Sequence, residues 1–118
     1  MKYALIGCGR ISPNHIAAAK ANGLQIVGLC DLEIQNITDK ILKFKLDPEI
    51  HQYTDYKEMI EKEKPELVAI ATESGKHAAI ALDCIEKGCN LIIEKPIALS
   101  LKDADAIIKK AEEKGVKV

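Results

Sequence analysis

The sequence predicts a doubly wound α/β fold, a parallel sheet with helices on both faces. Three observations carry that expectation. Short apolar runs, Tyr3-Ala4-Leu5-Ile6, Gln25-Ile26-Val27-Gly28-Leu29-Cys30, Leu67-Val68-Ala69-Ile70-Ala71 and Asn90-Leu91-Ile92-Ile93, alternate with segments of helical periodicity. Strands alternating with helices imply right-handed crossovers, which give parallel pairing. The run 67–71 is continuously apolar, as suits a strand covered on both faces.

The first strand leads into Gly7-Cys8-Gly9-Arg10-Ile11-Ser12, and an alanine-rich helix follows. Pro13 need not break that helix, because in the first turn its missing N–H would have no intrahelical partner. Asp31 stands at the end of the second strand, and Ile34, Ile37, Ile41 and Leu42 then mark the apolar stripe of a surface helix. Pro48 closes that region. Residues Ile50 to Tyr53 make a short edge strand before Asp55 and Glu58 open a helix with Tyr56, Met59 and Ile60 inward. Pro65 introduces the strand 67–71. Ala78, Ala81, Leu82 and Ile85 form the next stripe, which Gly88 ends in a left-handed conformation. After the strand Asn90–Ile93, Ser100 and Asp103 read as an N-cap and its acidic third residue. That helix would turn Leu101, Ala104, Ile108 and Ala111 inward and end at Gly115. Val116-Lys117-Val118 begins a further strand and stops. We expect one domain, residues 1–118, with a second domain missing; a complete small domain with a frayed end is the rival reading.

Composition excludes several functions. A formal net charge of -1 leaves no basic footprint for nucleic acid or an anionic membrane, and 3% aromatic residues leave few platforms for stacking bases. The core should be aliphatic. The N-terminus has no signal-peptide core and no apolar stretch is long enough to span a bilayer, so a cytoplasmic protein is expected. Cys8, Cys30, Cys84 and Cys89 form no C-x-x-C pair, which favours buried thiols over disulfides or metal ligands. Cys8 and Cys30 would end adjacent strands, where oxidation is open to them. His15, His51 and His77 fit no zinc spacing, and no metal is expected.

Ligands of open α/β sheets lie beyond the carboxyl ends of the strands, near the switch in strand order. Three stretches converge there. A pyrophosphate at the glycine turn would meet free backbone N–H groups and the positive end of the helix dipole. Gly7 would take the tight turn, Gly9 would keep side-chain atoms off the phosphates, and Ser12 stands at the third glycine of G-x-G-x-x-G, where a small residue suffices. A plain turn competes with this reading. The preceding strand, the following helix and Asp31, 24 residues beyond Gly7, favour a dinucleotide bound in the Rossmann manner. Asp31 would accept hydrogen bonds from the adenosine ribose hydroxyls, although a helix N-cap aspartate fits the same position. A 2′-phosphate would meet a like charge there, worth about 4 kcal/mol at roughly 4 Å and an effective dielectric near 20, so NAD is expected over NADP.

Ala71-Thr72-Glu73-Ser74-Gly75-Lys76-His77 leaves the third long strand as a small polar loop. It suits contacts along a nicotinamide, or a turn and cap. Glu94-Lys95-Pro96 sets a lysine at the mouth of the same crevice. A surface lysine would look alike, whereas a desolvated one can polarise a substrate hydroxyl or transfer a proton.

Together, Gly7-Cys8-Gly9-Arg10-Ile11, Leu29-Cys30-Asp31, Val68-Ala69-Ile70-Ala71-Thr72 with His77 downstream, and above all Glu94-Lys95-Pro96 resemble the nucleotide-binding domain of the Gfo/Idh/MocA oxidoreductases. The resemblance covers essentially the whole chain. It implies hydride transfer between a sugar-type carbinol and NAD(P), with Lys95 at the nicotinamide as the catalytic residue. It also implies a cofactor site built from Gly7, Gly9, Arg10, Ile11, Asp31, Ala71, Thr72, Ser74, His77, Glu94 and Lys95. Glu73 stands where the family commonly has proline, and Ser74 where it often has asparagine. That wording, with Ile11-Ser12-Pro13-Asn14-His15, is most similar to the branch that oxidises the 3-hydroxyl of UDP-N-acetylamino sugars or their uronic acids. Members carry a second α/β domain that binds the sugar or nucleotide-sugar substrate and supplies a catalytic histidine. This chain alone is therefore expected to bind cofactor without turnover, and homo-oligomers are expected to form through the other domain. A dinucleotide-binding sensor without chemistry is the alternative left open.

Overall fold

A parallel sheet needs a crossover at every connection, and the computed structural model, which describes residues 1–118, supplies one helix for each. In chain order the elements are β1 (Lys2–Ile6), α1 (Ser12–Ala21), β2 (Gln25–Cys30), α2 (Ile34–Phe44), β3 (His51–Tyr53), α3 (Tyr56–Glu63), β4 (Leu67–Ile70), α4 (His77–Glu86), β5 (Asn90–Ile93) and α5 (Leu101–Lys114). The strands lie in the order β3-β2-β1-β4-β5, every neighbouring pair parallel. The order reverses between β1 and β4, whose carboxyl-terminal residues Ile6 and Ile70 face each other across the ladder. The chain leaving these strands runs to helices on opposite faces of the sheet, α1 on one and α4 on the other, which makes this edge the switch point where open α/β sheets take their ligands.

Alternation along the central strands divides the core. Tyr3 and Leu5 of β1 point into one cluster with Ile16, Leu29, Ile37 and Ile41, beneath α1 and α2. Ala4 and Ile6 point the other way, toward Met59, Ile60, Ile80, Ile85 and Ile107 of α3, α4 and α5. Each fully buried Leu or Ile contributes roughly 1.5–3 kcal/mol relative to exposure. The cap residues behave as their chemistry requires: Asp55 accepts from the Lys57 N–H at 2.9 Å and Ser100 from the Asp103 N–H at 3.1 Å. Gly88 and Gly115 take φ of 82° and 70° at the ends of α4 and α5.

Two stripes differ from their periodicity. On α5 the buried residues are Ile107 and Ala111, while Leu101 is 85% exposed and Ile108 51% exposed. Two apolar stripes overlap on this helix, sharing Ala104 and Ala111, and neighbouring positions differ by about 100° in direction. The stripe through Ile107 packs on the α4 cluster, so Ile108 turns outward. On α2, Ile37 and Ile41 are buried but Leu42 is 73% exposed and Ile34 44% exposed, because the helix touches the sheet along a narrower line than its apolar arc. Conversely α4, covered by both the sheet and α5, also buries His77, Ile80 and Cys84. Val116–Val118 forms no strand, yet the Leu91 N–H donates to the Lys117 carbonyl at 2.9 Å beside β5. No helix is long and apolar enough to cross a membrane.

Candidate functional site

The crevice begins where β1 ends. Gly7 has φ +97°, and a Cβ there would lie 2.6 Å from the backbone carbon and oxygen of Ala71, the first residue after β4. Glycine is therefore required twice, by conformation and by the contact of two loops. Gly9 differs: a Cβ on it would meet no protein atom within 4 Å, so packing alone does not demand glycine.

Between them the backbone donors divide in use. Gly7 N–H donates to the Cys30 carbonyl and Cys8 N–H to Asp31 Oδ2, both at 2.8 Å, and Ser12 N–H to the Gly9 carbonyl at 3.2 Å. The N–H groups of Gly9, Arg10 and Ile11 donate to no protein acceptor. They lie just before α1, whose first turn holds Pro13 and no acidic residue to offset the positive end of its dipole. Ser12 is fully buried and its hydroxyl donates to the Gly9 carbonyl at 2.7 Å, which fixes the turn and satisfies the small-residue position. Arg10 and Ile11 are themselves exposed.

Asp31 follows β2 and is half-buried. Oδ2 accepts from Cys8 N–H, while Oδ1 accepts from Glu33 N–H at 2.8 Å and from the Asn36 amide at 3.3 Å. It is not the N-cap of α2, a position held by Glu33. The carboxylate instead ties the glycine turn to the end of β2. Behind it, burial and then the nearby Asp31 and Cys30 push the Cys8 thiol up to about 12, and burial followed by Asp31 and Asp55 pushes Cys30 up to about 12. All four cysteines are buried free thiols, and Cys8 Sγ–H donates to the Cys30 carbonyl at 3.6 Å. Neither thiol supplies the thiolate that oxidation requires.

The other wall comes from β4 and β5. Ala71 and Thr72 are half-buried, and Ser74 opens a single 3₁₀ turn, Ser74–Lys76, ahead of α4. The His77 ring is 1% exposed, with Nδ1 2.8 Å from the Pro96 carbonyl oxygen and Nε2 2.9 Å from that of Thr72. It sits behind the wall and joins its two parts. Lys95 is exposed. It does not pair with the adjacent Glu94, because Glu94 Oε2 lies 2.7 Å from His15 Nε2. That contact reaches from α1 across 79 residues of sequence, with side chains only 13% and 28% exposed. His15 lies outside the cofactor site expected from the sequence. Its position one turn into the helix that starts at the glycine corner was the available signal, since that turn faces the carboxyl edge.

Glycine corner, Asp31, the β4 loop and the Glu94-Lys95-Pro96 turn thus stand at one edge of the sheet. No three His, Cys, Asp or Glu side chains gather as a metal site would require.

Comparison with known proteins agrees with this geometry. A family model, GFO_IDH_MocA, described as the oxidoreductase family with an NAD-binding Rossmann fold, matches residues 1–118. The D-apiose dehydrogenase of Paraburkholderia graminis is 34% identical over 98% of this chain, which covers 30% of that enzyme. An oxidoreductase from Agrobacterium radiobacter, solved in complex with NAD+, L-tartaric acid and magnesium, superposes with a TM-score of 0.88 at 28% identity, over 98% of this chain and 33% of its own. The WlbA dehydrogenase of Bordetella pertussis, in complex with NADH and UDP-GlcNAcA, gives 0.87 at 27% identity, over 98% and 35%. The chain spans about a third of the length of these relatives. Because the family match runs from the first residue to the last and the strand order is that of a dinucleotide fold, this chain belongs to the Gfo/Idh/MocA oxidoreductases as their NAD-binding domain.

Proposed function

We propose that this chain is the cofactor-holding part of an NAD-dependent sugar dehydrogenase. The observation that carries the reading is the run of free N–H groups on Gly9, Arg10 and Ile11 at the positive end of α1. Those donors hold the pyrophosphate, and Gly9 lacks a Cβ because the phosphates approach there. Asp31 takes the adenosine ribose. Three donors already use three of roughly four acceptor positions on its carboxylate, and the long bond from Asn36 is the one a ribose hydroxyl displaces. The same charge disfavours a 2′-phosphate.

Ala71, Thr72 and Ser74 border the nicotinamide half, which brings the redox ring toward the Glu94-Lys95-Pro96 turn. When bound, NAD supplies the hydride acceptor. Lys95 Nζ holds the proton of the hydroxyl under oxidation, in a position that covering by substrate and by the rest of the protein would desolvate. His15 keeps the Glu94 carboxylate away from Lys95, so the lysine is not neutralised by its own neighbour. The sugar reading is supported by the D-apiose dehydrogenase relative and the UDP-GlcNAcA complex of WlbA. Within it we favour the 3-hydroxyl of a UDP-N-acetylamino sugar or its uronic acid, on the wording Ile11-Ser12-Pro13-Asn14-His15 and the Glu73-Ser74 loop. Substrate binding and oligomer contacts fall to a second domain.

The test is Lys95→Ala in a protein carrying this chain with its substrate-binding part. Hydride transfer should fall by about 100-fold or more while NAD affinity is retained. A Lys95→Ala protein that keeps its rate would reduce Lys95 to a surface lysine, and a native protein that binds NAD but transfers no hydride would favour the sensor reading, which draws its support from the exposure of Lys95.

A further inference from the structure

We propose that Ile92, Ile97, Leu99 and Leu101 form the surface on which the substrate-binding part of the protein docks, closing over Lys95. Eleven large apolar side chains of the chain are exposed, and these four fall within residues 92–101, the stretch that contains Lys95. Even scatter would put about one there, and single exposed apolar residues need no partner, whereas a cluster does.

The cluster is displayed on a held segment. Between Lys95 and α5, Ala98 packs on the core beneath α4, while Ile97, Leu99 and Leu101 to either side of it are exposed. The Pro96 carbonyl oxygen lies 2.8 Å from His77 Nδ1, and the Ser100 hydroxyl accepts from the Asp103 N–H at 3.1 Å. Leu99 Cδ1 lies 3.7 Å from where a Cβ on Gly75 would stand, which ties the strip to the 3₁₀ turn of the opposite loop. A surface fixed in advance loses little freedom when it is covered. On the other side of the lysine, Leu91 enters the core and Ile92 points to the opposite face of the sheet. There α1 and α2 lie over β1, β2 and β3 and leave Ile92 of β5 45% exposed.

Three occupants compete, and chemistry selects one. A sugar or nucleotide sugar offers hydroxyls and phosphates, which apolar side chains do not satisfy. A second copy related by a two-fold axis would turn the two Lys95 charges toward each other and shut both crevices. A separate part of the same protein covers the apolar surface, leaves the crevice to NAD and substrate, and takes water away from Lys95. The relatives have room for such a part, since the chain covers 30% of the D-apiose dehydrogenase and 35% of WlbA. This inference rests on the reading of Lys95 as the group that meets substrate.

The test compares this chain with a protein that carries it together with its substrate-binding part. Hydrogen–deuterium exchange of residues 92–101 should be slower by about tenfold or more in the longer protein. Leu99→Gln combined with Leu101→Gln adds no charge that could pair with Lys95, and should leave the urea midpoint and NAD affinity of the chain as they were. In the longer protein the same double variant should return exchange of 92–101 toward that of the chain and lower hydride transfer by about tenfold or more. Equal exchange in the two native proteins, or full protection in the double variant, would overturn the proposal. So would a dimer of the chain in sedimentation that the double variant dissociates, because the surface would then belong to a second copy. Protection of 92–101 without hydride transfer in the longer native protein would remove the dehydrogenase reading and leave the docking surface standing.

Discussion

The two walls of the crevice are built by different means. On the β1–β2 side, residues 7–12 are shaped mainly by the backbone: a left-handed glycine, a contact with the Ala71 backbone that excludes a Cβ, N–H bonds to Cys30 and Asp31, and consecutive N–H groups left free by the start of a helix. On the β4–β5 side, the Glu94-Lys95-Pro96 turn is held by side chains from elsewhere, His15 from α1 and His77 from the head of α4. The first wall rests on backbone geometry and on a side chain, Asp31, at the end of the neighbouring strand. The second depends on contacts of side chains from α1 and α4, and it leaves Lys95 exposed.

Paired glycine substitutions should give the largest effect and separate the two requirements. Gly7→Ala forces φ +97° on an L-residue and drives a Cβ to 2.6 Å from the Ala71 backbone, so it should cost about 3–5 kcal/mol, read as a lowered urea midpoint. Gly9→Ala meets no protein atom and should leave stability within about 0.5 kcal/mol, yet weaken NAD by about tenfold or more in a binding titration. Equal destabilisation by the two would erase the distinction between a structural and a ligand glycine.

A smaller effect is expected on the other wall. His15→Phe removes the partner of Glu94, which is 28% exposed and can turn to Lys95, so stability should fall by only about 1 kcal/mol. In a protein with its substrate domain, the kcat of that variant should drop more than its KM for NAD rises. A kcat unchanged from the native protein would confine His15 to packing.

The smallest predicted signal is chemical. Burial, with Asp31 as a like charge nearby, holds the Cys8 and Cys30 thiols up at about 12, so iodoacetamide should leave both unlabelled at about pH 8 until the chain is unfolded. Labelling of Cys8 in the folded chain would mean that the glycine corner opens.

What could be read from the sequence follows the same division. The alternation of strands and helices and the glycine corner were legible because β1 and β2, the turn at Gly7-Cys8-Gly9 and the caps at Asp55 and Ser100 carry their signals within a few residues, whereas the order of the strands was not. Asp31 was placed correctly at the end of β2, but its bonds to Cys8, Glu33 and Asn36 needed the fold. Periodicity alone could not choose between Ile107 and Ile108, since both lie beside the shared alanines and only the approach of α4 selects one. The His15–Glu94 contact joins residues 79 apart, and no local pattern announces it. His77 was expected at the cofactor, and its ring is instead enclosed behind the wall.

The central claim is that the amides of Gly9, Arg10 and Ile11 take the pyrophosphate. Proton–nitrogen correlation spectra of the chain titrated with NAD address it without any substrate. These three amide signals should move farthest and saturate together with those of Asp31 and Thr72. Saturable NAD binding that leaves the three amides unmoved would contradict it.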